Sequence, residues 1–143
     1  VNFINPDKFT DIRDAFTATE KGEEANLDLI RSYVQEKGSR YVPAGDKLEV
    51  TFTDIDLAGD FEPWHRSGMD DVRIVKDIYP PRMDLSYKLT DASGKVIKAG
   101  KRQLRDLNFM MRLSIRRDDP LRYEKGMLDD WLSEDIKPAI TKN

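Results

Sequence analysis

Apolar residues first recur at helical spacing between Glu20 and Tyr41, where Leu27, Ile30, Val34 and Tyr41 form one stripe with Tyr33 beside it. Charged residues fill the opposite face, so the spacing predicts an amphipathic helix buried along one side. Gly38 and the VPAGD stretch beyond it supply the stop. The period then changes. In KLEVTFTDIDL, Leu48, Val50 and Phe52 alternate with Glu49, Thr51 and Thr53, the pattern of a half-buried strand. Ile55 and Leu57 have the opposite parity, which predicts a bulge or the strand's end near Asp54.

RMDLSYKLTD alternates at Met83, Leu85, Tyr87 and Leu89, DASG supplies turn residues, and KVIKAGKRQL returns as a partner strand. Shorter elements flank these. Val1 to Ile4 reads as a strand stopped by Asn5-Pro6. PDKFTDIRDAF carries Phe9, Ile12 and Phe16 at helical spacing, as a loop or a helical turn. Val72, Ile74 and Val75 suggest a short strand, and LNFMMRLSI a short helix. Asp119-Pro120 opens a last helix with Leu121, Leu128, Trp131, Leu132 and Ile136 as its buried stripe, and Pro138 ends it. The order β-α-β-β-β-β-α, with one apolar stripe per helix and one apolar face per strand, predicts an α+β two-layer sandwich. Two main helices cover one face of a mostly antiparallel sheet of four to five strands, in a single domain over 1–143.

Composition narrows the chemistry more than it identifies it. The 143 residues are 38% hydrophobic and 36% charged, with no cysteine, which excludes thiol catalysis, thiolate zinc sites and disulfides. No apolar run reaches the roughly 18 residues of a membrane span. The net charge of −3 is unevenly spread, with Lys and Arg prevailing in residues 95–125 and Asp and Glu in 1–94. Lys95, Lys98, Lys101, Arg102, Arg105, Arg112, Arg116, Arg117 and Arg122 read first as solvated faces, and second as one patch for anions or a membrane surface. An acidic pI and the lack of a recognition motif argue against nucleic acid.

DIDLAGDFEPWHRSGMDDVR, residues 54–73, holds the densest polar chemistry, including the lone His65. A calcium loop begun at Asp54 would place Asp56, Gly59 and Glu62 correctly but put Ala58 and His65 where oxygen ligands are required. Zinc lacks converging ligands, and no nucleophile elbow or phosphate-cradling glycine loop is present. No metal, cofactor or catalytic residue is therefore predicted. What remains is a docking region of aromatic and charged residues, for which Asp56, Glu62, Trp64, His65, Arg66, Tyr79 and Arg82 are the candidates. Phe61, Met69 and Arg73 lie in the same stretch.

VNFINPDKFTD, VTFTDIDLAGDFEPW, DVRIVKDIYPPRMDLSYKL and LRYEKGMLDDW resemble, nearly end to end, the uncharacterised bacterial family known as domain of unknown function 3016. The resemblance implies a small exported chain of the periplasm or envelope, consistent with a start at Val1 after removal of a signal peptide. It implies no activity and no functional residues. The expectation is therefore a non-enzymatic binding or protein-interaction module holding an unknown protein or small ligand in the cell envelope. The alternatives are a small hydrolase or metal-dependent enzyme using Asp54, Asp56, Glu62 and His65, and an envelope accessory protein associated with lipid.

Overall fold

The computed structural model describes residues 1–13, 19–61, 73–74, 79–107, 119 and 121–141. Four strands form the main sheet in the order β1-β2-β5-β6. They are β1 (Asn2–Phe3), β2 (Lys47–Asp56), β5 (Arg82–Thr90) and β6 (Val96–Arg105), while β3 (Asp60–Phe61) and β4 (Arg73–Ile74) make a separate two-stranded ribbon. β2, β5 and β6 run antiparallel, and β1 pairs with β2 in parallel. Parallel pairing requires a crossover, and helix α1 (Glu20–Tyr41) provides it. This is the predicted α+β sandwich.

The bulge predicted near Asp54 is present. The β2–β5 register slips between Phe52 and Asp54, so Phe52 opposes Leu85 and Ile55 opposes Met83. One extra residue thus brings both Phe52 and Ile55, of opposite parity, to the same apolar face. Its further effect is to send Asp54 and Asp56 to the other face. The β5–β6 turn is built by Asp91, whose Oδ1 accepts from Ser93 N at 2.9 Å and Lys95 N at 3.0 Å, and by Gly94 at a φ of 89° that L side chains avoid.

Thr19 caps α1 by accepting from Gly22 N at 3.0 Å. Leu27, Ile30, Tyr33 and Val34 of α1 are buried in one core with Val50, Phe52, Ile55, Met83, Leu85, Tyr87 and Leu104 of the sheet. Helix α2 (Arg122–Trp131) and the π-helical turn Leu132–Ile136 close that core with Leu128, Trp131, Leu132 and Ile136, all fully buried. Each such side chain contributes about 1.5–3 kcal/mol through removal from water. Tyr33 donates to Asp129 at 2.6 Å, tying α1 to α2.

Two local expectations change. The last helix starts at Arg122 rather than Pro120, because Asp119 accepts from Leu121 N at 2.9 Å in a local turn that competes with helix. Pro138 does not end it: α3 (Lys137–Thr141) runs through the proline directly after the π turn. A wider turn there accommodates a residue that has no N–H and crowds the carbonyl four positions back. At the N-terminus, Pro6–Lys8 form a short helical turn after Asn5 in a left-handed conformation, and Phe9 and Ile12 enter the core. Phe16 and the LNFMMRLSI segment, apart from Leu107, lie outside the described residues.

Candidate functional site

One rung of the sheet joins four chain segments. Asp11 bridges in parallel to Asp56, Asp56 opposes Arg82, and Arg82 opposes Arg105. In-register neighbours share a face, and this rung lies on the face away from the helices, because Ile55, Met83 and Leu104 on either side point into the core. The rung therefore reads acid, acid, base, base. Asp11 is tied in by two backbone hydrogen bonds, its N–H donating to Ile55 O at 3.0 Å and its carbonyl accepting from Leu57 N at 2.9 Å.

Most charges here neutralise each other. Arg73 Nη1 donates to Asp11 Oδ2 at 2.9 Å and to the Gly59 carbonyl, and Arg73 Nη2 to the Arg13 carbonyl, while Arg13 Nε donates to Asp11 Oδ1 at 3.0 Å. Burial opposes ionisation of Asp11, but these two guanidinium groups overcome it and hold its carboxyl below the ordinary value. Arg13 Nη2 donates to Asp60 at 2.9 Å. Asp54 accepts from Thr10 N and Thr10 Oγ1, both at 2.6 Å, and pairs with Arg82. Burial raises its pKa, yet the Thr10 hydrogen bonds and Arg82 outweigh this and lower it overall.

Asp56 is the exception. Among the described residues its carboxylate makes no hydrogen bond or ion pair, and burial together with the Asp11, Asp54 and Asp60 charges pushes its pKa up to about 6 against the pull of Arg82. Arg105, at the other end of the rung, is likewise unpaired among the described residues, and Arg82 keeps a buried Nε–H with no acceptor. Asp56, Arg82 and Arg105 line a single open cleft of about 320 Å³ with Tyr79, Pro80 and Leu107 on its rim.

The cleft floor is held from below. Glu124 of α2 is 1% exposed and accepts from Ala58 N at 2.7 Å. Burial raises the pKa of this carboxyl. The same turn continues through Gly59, at a φ of 81°, whose N–H donates to Tyr79 O at 2.9 Å. The helix thereby positions the turn at which Leu57, Gly59 and Asp60 meet the cleft.

Of the residues singled out from sequence, Asp56, Tyr79 and Arg82 come together in this cleft. Glu62, Trp64, His65 and Arg66 lie outside the described residues, as does Met69; for Phe61 only the backbone is described. Arg73 serves as a clamp on Asp11. Thr10, Asp11, Arg13, Asp60 and Arg105 line the cleft without having been singled out as site residues. Parity with the apolar Leu104 puts Arg105 on the polar face of its strand, but its pairing with Arg82 depends on a register slip between Leu89 and Thr90 that counting back from the DASG turn does not give. Asp11 had no such signal, since its pairing is parallel and distant in sequence. Within the calcium register considered from sequence, Ala58 N–H is taken by Glu124 and Asp54 by Thr10 and Arg82. Among the described residues, no three acidic or histidine side chains converge as a metal site.

The basic residues of β6 divide between two faces. Lys98 and Arg102 turn toward the helices, where Lys98 Nζ donates to Asp135 O at 3.2 Å and Arg102 Nη1 to Asp135 Oδ1 at 2.6 Å. Lys101 and Arg105 fall on the opposite face. Arg112, Arg116 and Arg117 lie outside the described residues.

No curated protein and no solved structure matches this chain. A family model does, over residues 1–134, so that nearly all of the strands, helices and cleft residues described above fall within it. The chain belongs to the family described as Protein of unknown function (DUF3016).

Proposed function

We propose that this chain is a non-enzymatic binding module of the cell envelope, and that the cleft bounded by Asp56, Tyr79, Arg82 and Arg105 holds its ligand or a partner's side chains. The observation that carries this is the leftover charge: within a cluster otherwise closed by arginine–carboxylate pairs, one acid and one base in the same cleft have no partner among the described residues. Unpaired, perturbed groups in a concavity are where ligands are expected. The envelope location rests on the resemblance of the sequence to exported bacterial proteins. Native mass spectrometry of protein isolated from its own cells tests the proposal. Wild-type protein is expected to retain a bound species that the Arg105→Gln variant loses; recovery of each protein at its own unliganded mass would sink the proposal.

A second reading rests on Asp56 alone, because a carboxyl titrating near 6 suits general acid–base work in a small hydrolase. Against it, Asp11, Asp54 and Asp60 are each held by an arginine and supply no second free carboxylate. Hydrolysis of a broad ester and glycoside panel that disappears in Asp56→Asn would favour it. The lipid-associated reading is weakened because Lys98 and Arg102 are turned toward the helices.

A further inference from the structure

We infer that the occupant of the cleft is a small zwitterion, its ammonium on Asp56 and its carboxylate on Arg105. The inference rests on the binding reading above and adds the chemistry of the ligand. Asp11, Asp54 and Asp60 are already matched by Arg13, Arg73 and Arg82, so among the described residues the site's unspent charges are one negative and one positive group, two strands apart on one rung. Adjacent strands lie about 4.8 Å apart, so Asp56 and Arg105 are rooted roughly 10 Å apart, with the arginine able to fold inward. A ligand meeting both needs its charges several ångströms apart.

The remaining walls suit such a molecule. Leu107 is 64% exposed where it borders the cleft, and Tyr79 and Pro80 add further apolar surface for a short aliphatic linker. A volume of about 320 Å³ matches the small end of ligand pockets. Single charges fit less well. An anion alone leaves Asp56 unpaired beside it, and a cation alone meets Arg105 and Arg82; a zwitterion satisfies both ends and is selected against either mismatch. At neutral pH Asp56 is ionised and can accept from an ammonium.

Isothermal titration of the full chain with ε-aminocaproate, caproate and hexylamine, three molecules built on the same six-carbon chain, decides the matter. The zwitterion is expected to bind at least tenfold more tightly than either single-charge analogue. Asp56→Asn should remove that advantage over caproate, and Arg105→Gln the advantage over hexylamine, with unfolding temperatures confirming that both variants fold. Caproate or hexylamine binding as tightly as ε-aminocaproate overturns the inference. If none of the three binds while Arg105→Gln still strips a species retained from the cell, the zwitterion is wrong and the binding reading survives. If nothing is retained either, both fall.

Discussion

Arg102 and Arg105 sit three residues apart on β6 and have opposite fates. Arg102 faces the helices, where Asp135 and Glu134 accept from it at 2.6 Å and 3.1 Å. Lys98 reaches the Asp135 carbonyl, and the Tyr87 hydroxyl, its pKa raised by burial and then by Asp135, completes the group. Arg105 faces the other way and has no partner among the described residues. One polar network is closed and serves the fold. The other is left open by one acid and one base, and the difference separates charge used for stability from charge available to a ligand.

Breaking the closed network has the largest expected effect. Asp135→Ala leaves Arg102 and Tyr87 without their shared carboxylate acceptor and costs about 2–3 kcal/mol, discounted for the partial exposure of Arg102, measured by urea unfolding. Next is the strut beneath the open network. Glu124→Leu orphans the buried Ala58 N–H and costs roughly 1–3 kcal/mol, whereas Glu124→Gln keeps an acceptor and recovers most of it; the pair of unfolding curves checks this.

Asp56→Asn should have the opposite sign. The folded pKa of about 6 lies above the ordinary 3.8, so ionising Asp56 disfavours the fold. That penalty is absent below about pH 4, grows through the interval up to about 6, and is complete above it. The variant is therefore more stable than wild type by about 1–2 kcal/mol above pH 6, allowing for solvent screening, and equal to it at low pH. Unfolding midpoints across pH test the crossover. Arg105→Gln has the smallest effect, within about 0.5 kcal/mol, and a larger loss of stability would show that Arg105 belongs to the structural class after all.

The elements read most directly from sequence are those whose side-chain period carries the information. Leu27, Ile30 and Val34 mark α1, and the parity switch from Phe52 to Ile55 marks the bulge. Period says nothing about which distant strand lies alongside, so the Asp11–Asp56 bridge was invisible, and with it the way Asp11 crowds Asp56. Residue type misled at Asp119, whose carboxylate closes a turn just before α2 instead of capping the helix, and at Pro138, which the π turn accommodates. Arg73 stood beside loop aromatics in sequence, but three-dimensional proximity to a buried carboxylate decides its role.

The parallel attachment of the N-terminal segment has a kinetic consequence. β5 and β6 form a hairpin of chain neighbours, whereas Thr10, Asp11 and Arg13 reach the sheet only across the whole of α1. Contacts that close such long loops form late and are among the first to open. The acidic wall of the cleft is thus a strap over an already folded platform. A molecule held between that strap and β5–β6 fastens it, so amide exchange at residues 9–13 is expected to slow on binding while exchange in the hairpin stays unchanged.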